Sequence, residues 1–241
     1  MSALYGQDLA YIQHVGFSDG AGHLIPYLRD FLGKHRIDSG RVVDLGCGDG
    51  QWLAALNAAG YATFGVDWSD ELVAIARKRA PAARIVAGSV HDVPLPNCDA
   101  VTALGEVLGY IPPGAGRPDL GATLRRIAAA LRPRGWLLFD LYVGGDGGAD
   151  ARHWRAGDDW IVLAETIDDR PSATATRRIT AMRKDADGRY RRSDETHHLT
   201  IADADRVMQQ LADAGFSAEV AEGYGEHRLP ARRRAFFAQR R

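Results

Sequence analysis

Val42-Val43-Asp44-Leu45-Gly46-Cys47-Gly48-Asp49-Gly50 lies between two unlike patterns. The residues up to Leu45 read as a short buried strand, and residues 52–59 carry helical spacing closed by Gly60. Three glycines at alternate positions fill the turn between them. Glycine reaches torsions that other residues avoid, and its missing side chain lets a ligand approach the main chain. Amides at the start of the following helix favour anionic groups. The spacing is G-x-G-x-G, which differs from the G-x-G-x-x-G of dinucleotide binders. A second strand, 62–66, ends at Asp67, seventeen residues beyond Gly50. Neighbouring strand ends line one crevice in a doubly wound sheet, where a carboxylate can accept from both hydroxyls of a ribose.

Outward from this segment the pattern repeats. Leu24, Tyr27, Leu28 and Phe31 predict a helix over 23–33, and Ser69 caps another with Asp70 and Glu71 in its first turn. Residues 84–87 and 99–104 read as strands. Leu120, Leu124, Ile127, Ala128 and Leu131 mark a helix stopped by Pro133 and Gly135, and Trp136 to Leu141 follows as a strand. Alternating strands and helices predict an α/β fold: a Rossmann-like, doubly wound, mostly parallel seven-stranded sheet. Residues 152–200 break the alternation. They predict antiparallel strands, with a turn at Asp187-Gly188, added to the sheet or folded over it. A helix capped by Gly215 and strands at 216–220 and 234–238 close the chain.

The segment 41–142 resembles the class I S-adenosylmethionine-dependent methyltransferases, and within them a bacterial group acting on small molecules. The likeness includes Ala103-Leu104-Gly105-Glu106-Val107-Leu108, and extends more weakly to Asp8-Leu9-Ala10-Tyr11-Ile12 and Ala214-Gly215-Phe216. It implies that Asp44, Gly46 and Gly48, with Cys47 in the same loop, hold the methionine part of S-adenosylmethionine. It implies Asp67 for the ribose and Trp68 for the adenine. Gly88-Ser89-Val90 stands where the family commonly has Gly-Asp, so Ser89 or the Val90 amide takes over a contact to the adenine. The resemblance also implies that Leu104, Gly105 and Glu106 lie next to the reacting methyl group. The implied reaction passes the methyl group to an oxygen, nitrogen or carbon nucleophile and leaves S-adenosylhomocysteine.

Glu106, an acid in an apolar stretch, is the candidate for a catalytic role, whether as base or in orienting the substrate. Candidates for contact with the acceptor are Tyr11 and His14 near the start, Tyr110 after the fourth strand, and Arg178 and His198 in the 152–200 insertion. His197 and His198 are adjacent on a strand, so one faces in and one out. The whole chain, 1–241, reads as one methyltransferase domain, in which 1–38 form a helical cap, 41–142 the cofactor core, 152–200 a substrate cover and 203–241 the closing elements.

Charge and composition narrow the alternatives. Thirty Lys plus Arg against 31 Asp plus Glu give a net charge of −1, which argues against nucleic acid and charged membrane surfaces as partners. Arg232-Arg233-Arg234 and Arg240-Arg241 read as solvated flanks of a buried strand. Two cysteines, Cys47 and Cys98, make no disulfide framework, and the scattered histidines predict no metal site. No basic-then-apolar leader and no long apolar run is visible, so the expected setting is the cytoplasm and the expected state a monomer or homodimer. Two rival readings remain at this level: a methyltransferase-like protein that binds the cofactor without turnover, and a nicotinamide-dependent oxidoreductase.

Overall fold

The computed structural model describes residues 4–143 and 151–241. Two helices open it, α1 (Gln7–Gly16) and α2 (Ser18–Lys34). There follow β1 (Arg41–Leu45), α3 (Gln51–Ala58), β2 (Ala62–Asp67), α4 (Asp70–Arg79), β3 (Arg84–Ala87) and β4 (Cys98–Ala103). Next come β5 (Tyr110–Ile111), α5 (Leu120–Ala130) and β6 (Leu131–Tyr142). Four antiparallel strands come after these: β7 (Ala151–Ala156), β8 (Trp160–Asp169), β9 (Thr174–Lys184) and β10 (Tyr190–Thr200). The last elements are α6 (Ala204–Asp213), β11 (Phe216–Ala221), β12 (Gly223–Tyr224), β13 (His227–Arg228) and β14 (Arg233–Arg240).

Seven strands form the central sheet in the order β11-β14-β6-β4-β1-β2-β3. β1, β2, β3, β4 and β6 pair in parallel, and β14 runs antiparallel to both β6 and β11. The chain steps outward from β1 through β2 to β3, then returns to the other side of β1 as β4. That reversal opens a crevice at the carboxyl ends of β1 and β4.

Alternating side chains explain why both sheet faces are covered. Val43, Val101, Phe139 and Phe236 pack with Leu124 and Ile127 of α5 and with Val207 and Leu211 of α6. Their strand neighbours Val42, Ala100, Leu138 and Phe237 pack on the opposite face, with Leu28, Phe31 and Leu32 of α2 and with Trp52 and Leu56 of α3. The caps follow the sequence: the Ser69 hydroxyl accepts from the Leu72 amide at 3.1 Å, and Asp119 does the same for Ala122 at 3.1 Å.

The 152–200 region forms its own sheet, β5-β10-β9-β8-β7, folded over the crevice. The β9–β10 hairpin turns at Asp187-Gly188, with Gly188 at φ 85°. α1 packs on the inner face of this sheet, placing Leu9 and Ile12 against Trp160, Val162, Ile179 and Ala181. Three boundaries differ from the sequence expectation. α2 starts at Ser18 and runs through Pro26. β6 starts at Leu131, before Pro133 and Gly135, because an irregular register beside Cys98 and Ala100 absorbs the turn that those residues make. β5 donates two residues from the segment after β4 to the covering sheet.

Gly50, the cap of α3, has φ 79°, and a Cβ there would lie 2.9 Å from the Ala76 Cα. The Gly50→Ala variant is expected to lose about 2–4 kcal/mol, from left-handed strain together with overpacking against a backbone atom. Urea unfolding checks this, and an unchanged midpoint would reject the packing described.

Candidate active site

The crevice and the covering sheet enclose a cavity of about 970 Å³. Asp44, Gly46, Cys47, Gly48, Leu104, Gly105, Glu106 and Tyr110 all line it. A second depression of about 810 Å³ lies at the other end of the sheet, near Gly40, Arg41 and Asp99. It is at the amino ends of the strands, away from the crevice where such sheets bind ligands.

The glycine loop is built for backbone approach. Gly48 has φ 55°, and a Cβ built on it meets nothing within 4 Å. Its amide donates to Asp67 Oδ2 at 2.8 Å, while the Ser69 amide donates to Asp67 Oδ1 at 2.9 Å. Asp67 therefore ties the loop to the end of β2. Burial raises its pKa, and these amides oppose the rise. Asp44 is 5% exposed and accepts from Thr102 Oγ1 at 2.6 Å. Burial pushes its carboxyl up to about 7, against the lowering effect of the Thr102 hydrogen bond. Burial also raises the Cys47 thiol well above its usual range, which removes it as a nucleophile. Asp49 is held by His14 Nδ1 at 2.9 Å and by Arg79.

The segment after β4 is held by one acid. Gly105 has φ 88° and Glu106 has φ 65°, so two consecutive residues are left-handed. Asp140, near the end of β6, accepts from the Gly105 amide at 2.8 Å, the Glu106 amide at 3.0 Å and the Tyr224 hydroxyl at 3.0 Å. Glu106 is 1% exposed. Its Oε2 accepts from Arg177 Nη2 at 3.0 Å, and its Oε1 lies 2.6 Å from Arg233 Nε. The second contact is a buried ion pair.

The covering sheet corrects several expectations. Arg178 lies on the outer face, exposed, with Nη1 3.9 Å from Glu165, and His198 is exposed beside Thr176. Neither lines the cavity. Their neighbours Arg177 and His197 face inward, because successive strand residues point to opposite sides. Tyr11 donates to Asp159 at 2.7 Å and carries the Arg183 guanidinium 3.7 Å from its ring centre. Neither Tyr11 nor His14 is in the cavity wall, to which the same stretch contributes Tyr5, Leu9, Gln13 and Phe17. Asp67, Trp68, Ser89 and Val90 stand beyond the wall, at the ends of β2 and β3, and Ser89 Oγ accepts from the His91 amide at 3.1 Å. The arginine run is not simply a solvated flank: Arg233 pairs with Glu106, and Arg232 with Asp168 at 3.2 Å.

Sequence reasoning missed Tyr5, Asp140, Arg177 and Arg233. Asp140 carried a usable signal, a single acid in the apolar run Leu137–Leu141. Glu195 accepts from the amides of Tyr5 at 2.8 Å and Gly6 at 2.9 Å and pairs with His197 Nε2 at 2.8 Å, which pins the N-terminal segment to β10.

The wall fits a polar, partly cationic ligand such as S-adenosylmethionine. Gln51 Oε1 and Trp52 Nε1 are buried there without a partner among the described residues, one an acceptor and one a donor, beside the acid of Asp44 and the open backbone at Gly48.

Comparison with known proteins agrees with this geometry. Residues 21–219 match the pattern of a family described as a methyltransferase domain. A protein named as a methyltransferase in Geobacillus sp. (strain WCH70) is 25% identical over 189 residues, covering 73% of this chain and 74% of that one. The dTDP-3-amino-3,6-dideoxy-α-D-glucopyranose N,N-dimethyltransferase of Streptomyces fradiae is 31% identical over 108 residues, covering 44% of this chain and 41% of its own. The crystal structure of an S-adenosylmethionine-dependent methyltransferase from Clostridium acetobutylicum ATCC 824 has a TM-score of 0.79 at 15% identity, covering 95% of this chain and 96% of that one.

The raised carboxyl of Asp44 sets a pH dependence. Between about pH 4 and 7 the folded protein holds a proton there that the unfolded chain has lost, so stability falls as pH rises through that window. From pH 5 to 8 the unfolding free energy is expected to fall more for the wild type than for Asp44→Asn, by on the order of 2–3 kcal/mol. Denaturant titrations at several pH values test this, and parallel curves would reject it.

Proposed function

We propose, for a chain that belongs to the methyltransferase domain family and is an S-adenosylmethionine-dependent methyltransferase, that the methyl acceptor is an amine on a small polar molecule. The cofactor supplies a methyl group already activated by its sulfonium, so the protein's task is alignment. In this reading Asp44, Gly46, Gly48, Gln51 and Trp52 hold the methionine half, with Cys47 in the same loop. Asp67, Trp68, Ser89 and Val90, on the neighbouring strand ends, take the adenosine half. Leu104 and Gly105 border the reacting centre.

One observation carries the amine reading: the acids deep in the cavity are already committed. Asp44 accepts from Thr102, Asp140 from two amides, and Glu106 faces two guanidiniums. A hydroxyl acceptor must lose a proton as it attacks, which asks for a base. A neutral amine attacks with its own lone pair and releases its proton afterwards. Glu106 then acts on the amine through its charge, while Arg177 and Arg233 fix the carboxylate. The aminosugar substrate in the name of the Streptomyces fradiae relative supports this reading.

The test is a screen of amines, phenols and carboxylic acids with methyl-labelled cofactor. Label on nitrogen is expected, and label on oxygen alone overturns the proposal. Two variants divide the roles. Asp67→Ala is expected to weaken cofactor binding roughly 10- to 1,000-fold, from the loss of one or two hydrogen bonds to a charged group. Glu106→Gln is expected to lower kcat more than it changes cofactor affinity. Calorimetry and steady-state kinetics on the folded variants decide both; unchanged cofactor affinity in Asp67→Ala removes Asp67 from the cofactor site.

A further inference from the structure

Tyr5 and Tyr110 meet at the cavity wall, their hydroxyl oxygens 3.2 Å apart. Both positions are fixed from outside. Tyr5 has a left-handed φ of 52°, its amide is held by Glu195, and its carbonyl accepts from Ser69 Oγ at 2.7 Å. The Tyr110 oxygen accepts from Arg177 Nη1 at 3.3 Å. The His197 ring packs against both phenols, with centroids 5.0 Å from Tyr5 and 5.8 Å from Tyr110.

The hydrogens of this pair can be counted. Each phenol carries one donor hydrogen. One hydrogen lies between the two oxygens, in either direction, and Arg177 brings its own. Among the described residues nothing else accepts from either hydroxyl. Burial and the neighbouring phenol raise the Tyr5 hydroxyl well above its usual range, so Tyr5 keeps its hydrogen. A polar group left unmet at a closed site costs more than a weak partner would, which makes this hydrogen a selecting feature.

We propose that the Tyr5–Tyr110 pair presents one uncommitted hydroxyl hydrogen to the cavity and selects acceptors that carry a hydroxyl oxygen beside the amine to be methylated. The proposal rests on the amine reading above and narrows it to vicinal amino alcohols. Tyr5 and Tyr110 are specificity residues in this scheme, while Glu195 and Arg177 are positioning residues that act through them.

The experiment measures binding rather than turnover. The protein loaded with S-adenosylhomocysteine is titrated calorimetrically with methyl 3-amino-3-deoxy-α-D-glucopyranoside and with its 2,4-dideoxy counterpart. The wild type is expected to prefer the hydroxylated probe at least tenfold. In Tyr5→Phe/Tyr110→Phe the preference is expected to shrink to threefold or less, with S-adenosylhomocysteine affinity within threefold of wild type. The single variants, which each keep one hydroxyl, are expected to fall between and cover the case of a double variant that does not fold. Equal affinities in the wild type, a preference that survives in the variants, or no binding of either probe overturns the proposal. The labelling screen separates the two readings: label on oxygen rejects the amine acceptor, whereas a lost preference with label on nitrogen rejects only the role of the phenols.

Discussion

The carboxylate of Asp140 holds the centre of this molecule in place. It accepts from two successive amides, those of Gly105 and Glu106, both in left-handed conformations. For Glu106 that conformation costs about 1–2 kcal/mol, and a hydrogen bond to a charged acceptor contributes about 1.5–3 kcal/mol. The bonds outweigh the strain. The result is a carboxylate turned back under the strand ends, where it meets Arg177 of the covering sheet and Arg233 of β14. Three separately built pieces, the parallel core, the antiparallel cover and the last strand, are thus keyed to one side chain. The cover's apolar contacts are with α1 and, through Ala175 and Leu199, with Tyr142 of β6, and the polar joint gives that packing a fixed direction.

Such a joint is specific rather than simply stabilising. Buried ion pairs give up hydration that their mutual attraction only partly returns, and losing one partner is far costlier than never having had the pair. Here the charges are arranged in sequence: Asp140, then Glu106, then the guanidiniums, with Tyr110 and Tyr5 beyond Arg177. Burial raises the Asp140 carboxyl, the Gly105 amide and Arg233 oppose that rise, and Glu106 adds to it. The cavity is therefore a place where charge is already balanced before any ligand enters.

The parallel core was legible because its signals are local. Alternating burial, the glycine turn and the acid at the end of β2 all lie within one strand-turn-helix unit and its neighbour. The covering sheet was legible as antiparallel strands, but the facing of its residues was not. Arg178 and His198 were favoured over Arg177 and His197, and strand parity reverses both choices. Nothing near residue 177 in sequence announces which face is inward, since register is set by α1, which lies some 160 residues earlier, and by the pairing with β5. Tyr11 misled in the same way: it reads as an acceptor contact, yet its hydroxyl turns to Asp159, and the preceding Tyr5 takes the inward place. Asp140 was passed over because a buried strand acid has no meaning until the loop it captures is known.

The clasp between Glu195 and the amides of Tyr5 and Gly6 also has a meaning in time. Its two halves are separated by 190 positions. At ribosomal speeds of about 5–20 residues per second, the first half waits roughly ten to forty seconds for its partner to be synthesised. During that interval β1, β2, β3, β4 and β6 can pair among themselves, since their sheet needs nothing from the first helix. The Tyr5 segment can dock only after β10 has emerged from the ribosome and paired with β9. Assembly during translation therefore runs from the middle outward: the wall that contacts the glycine loop forms early, and the wall that faces the acceptor closes last.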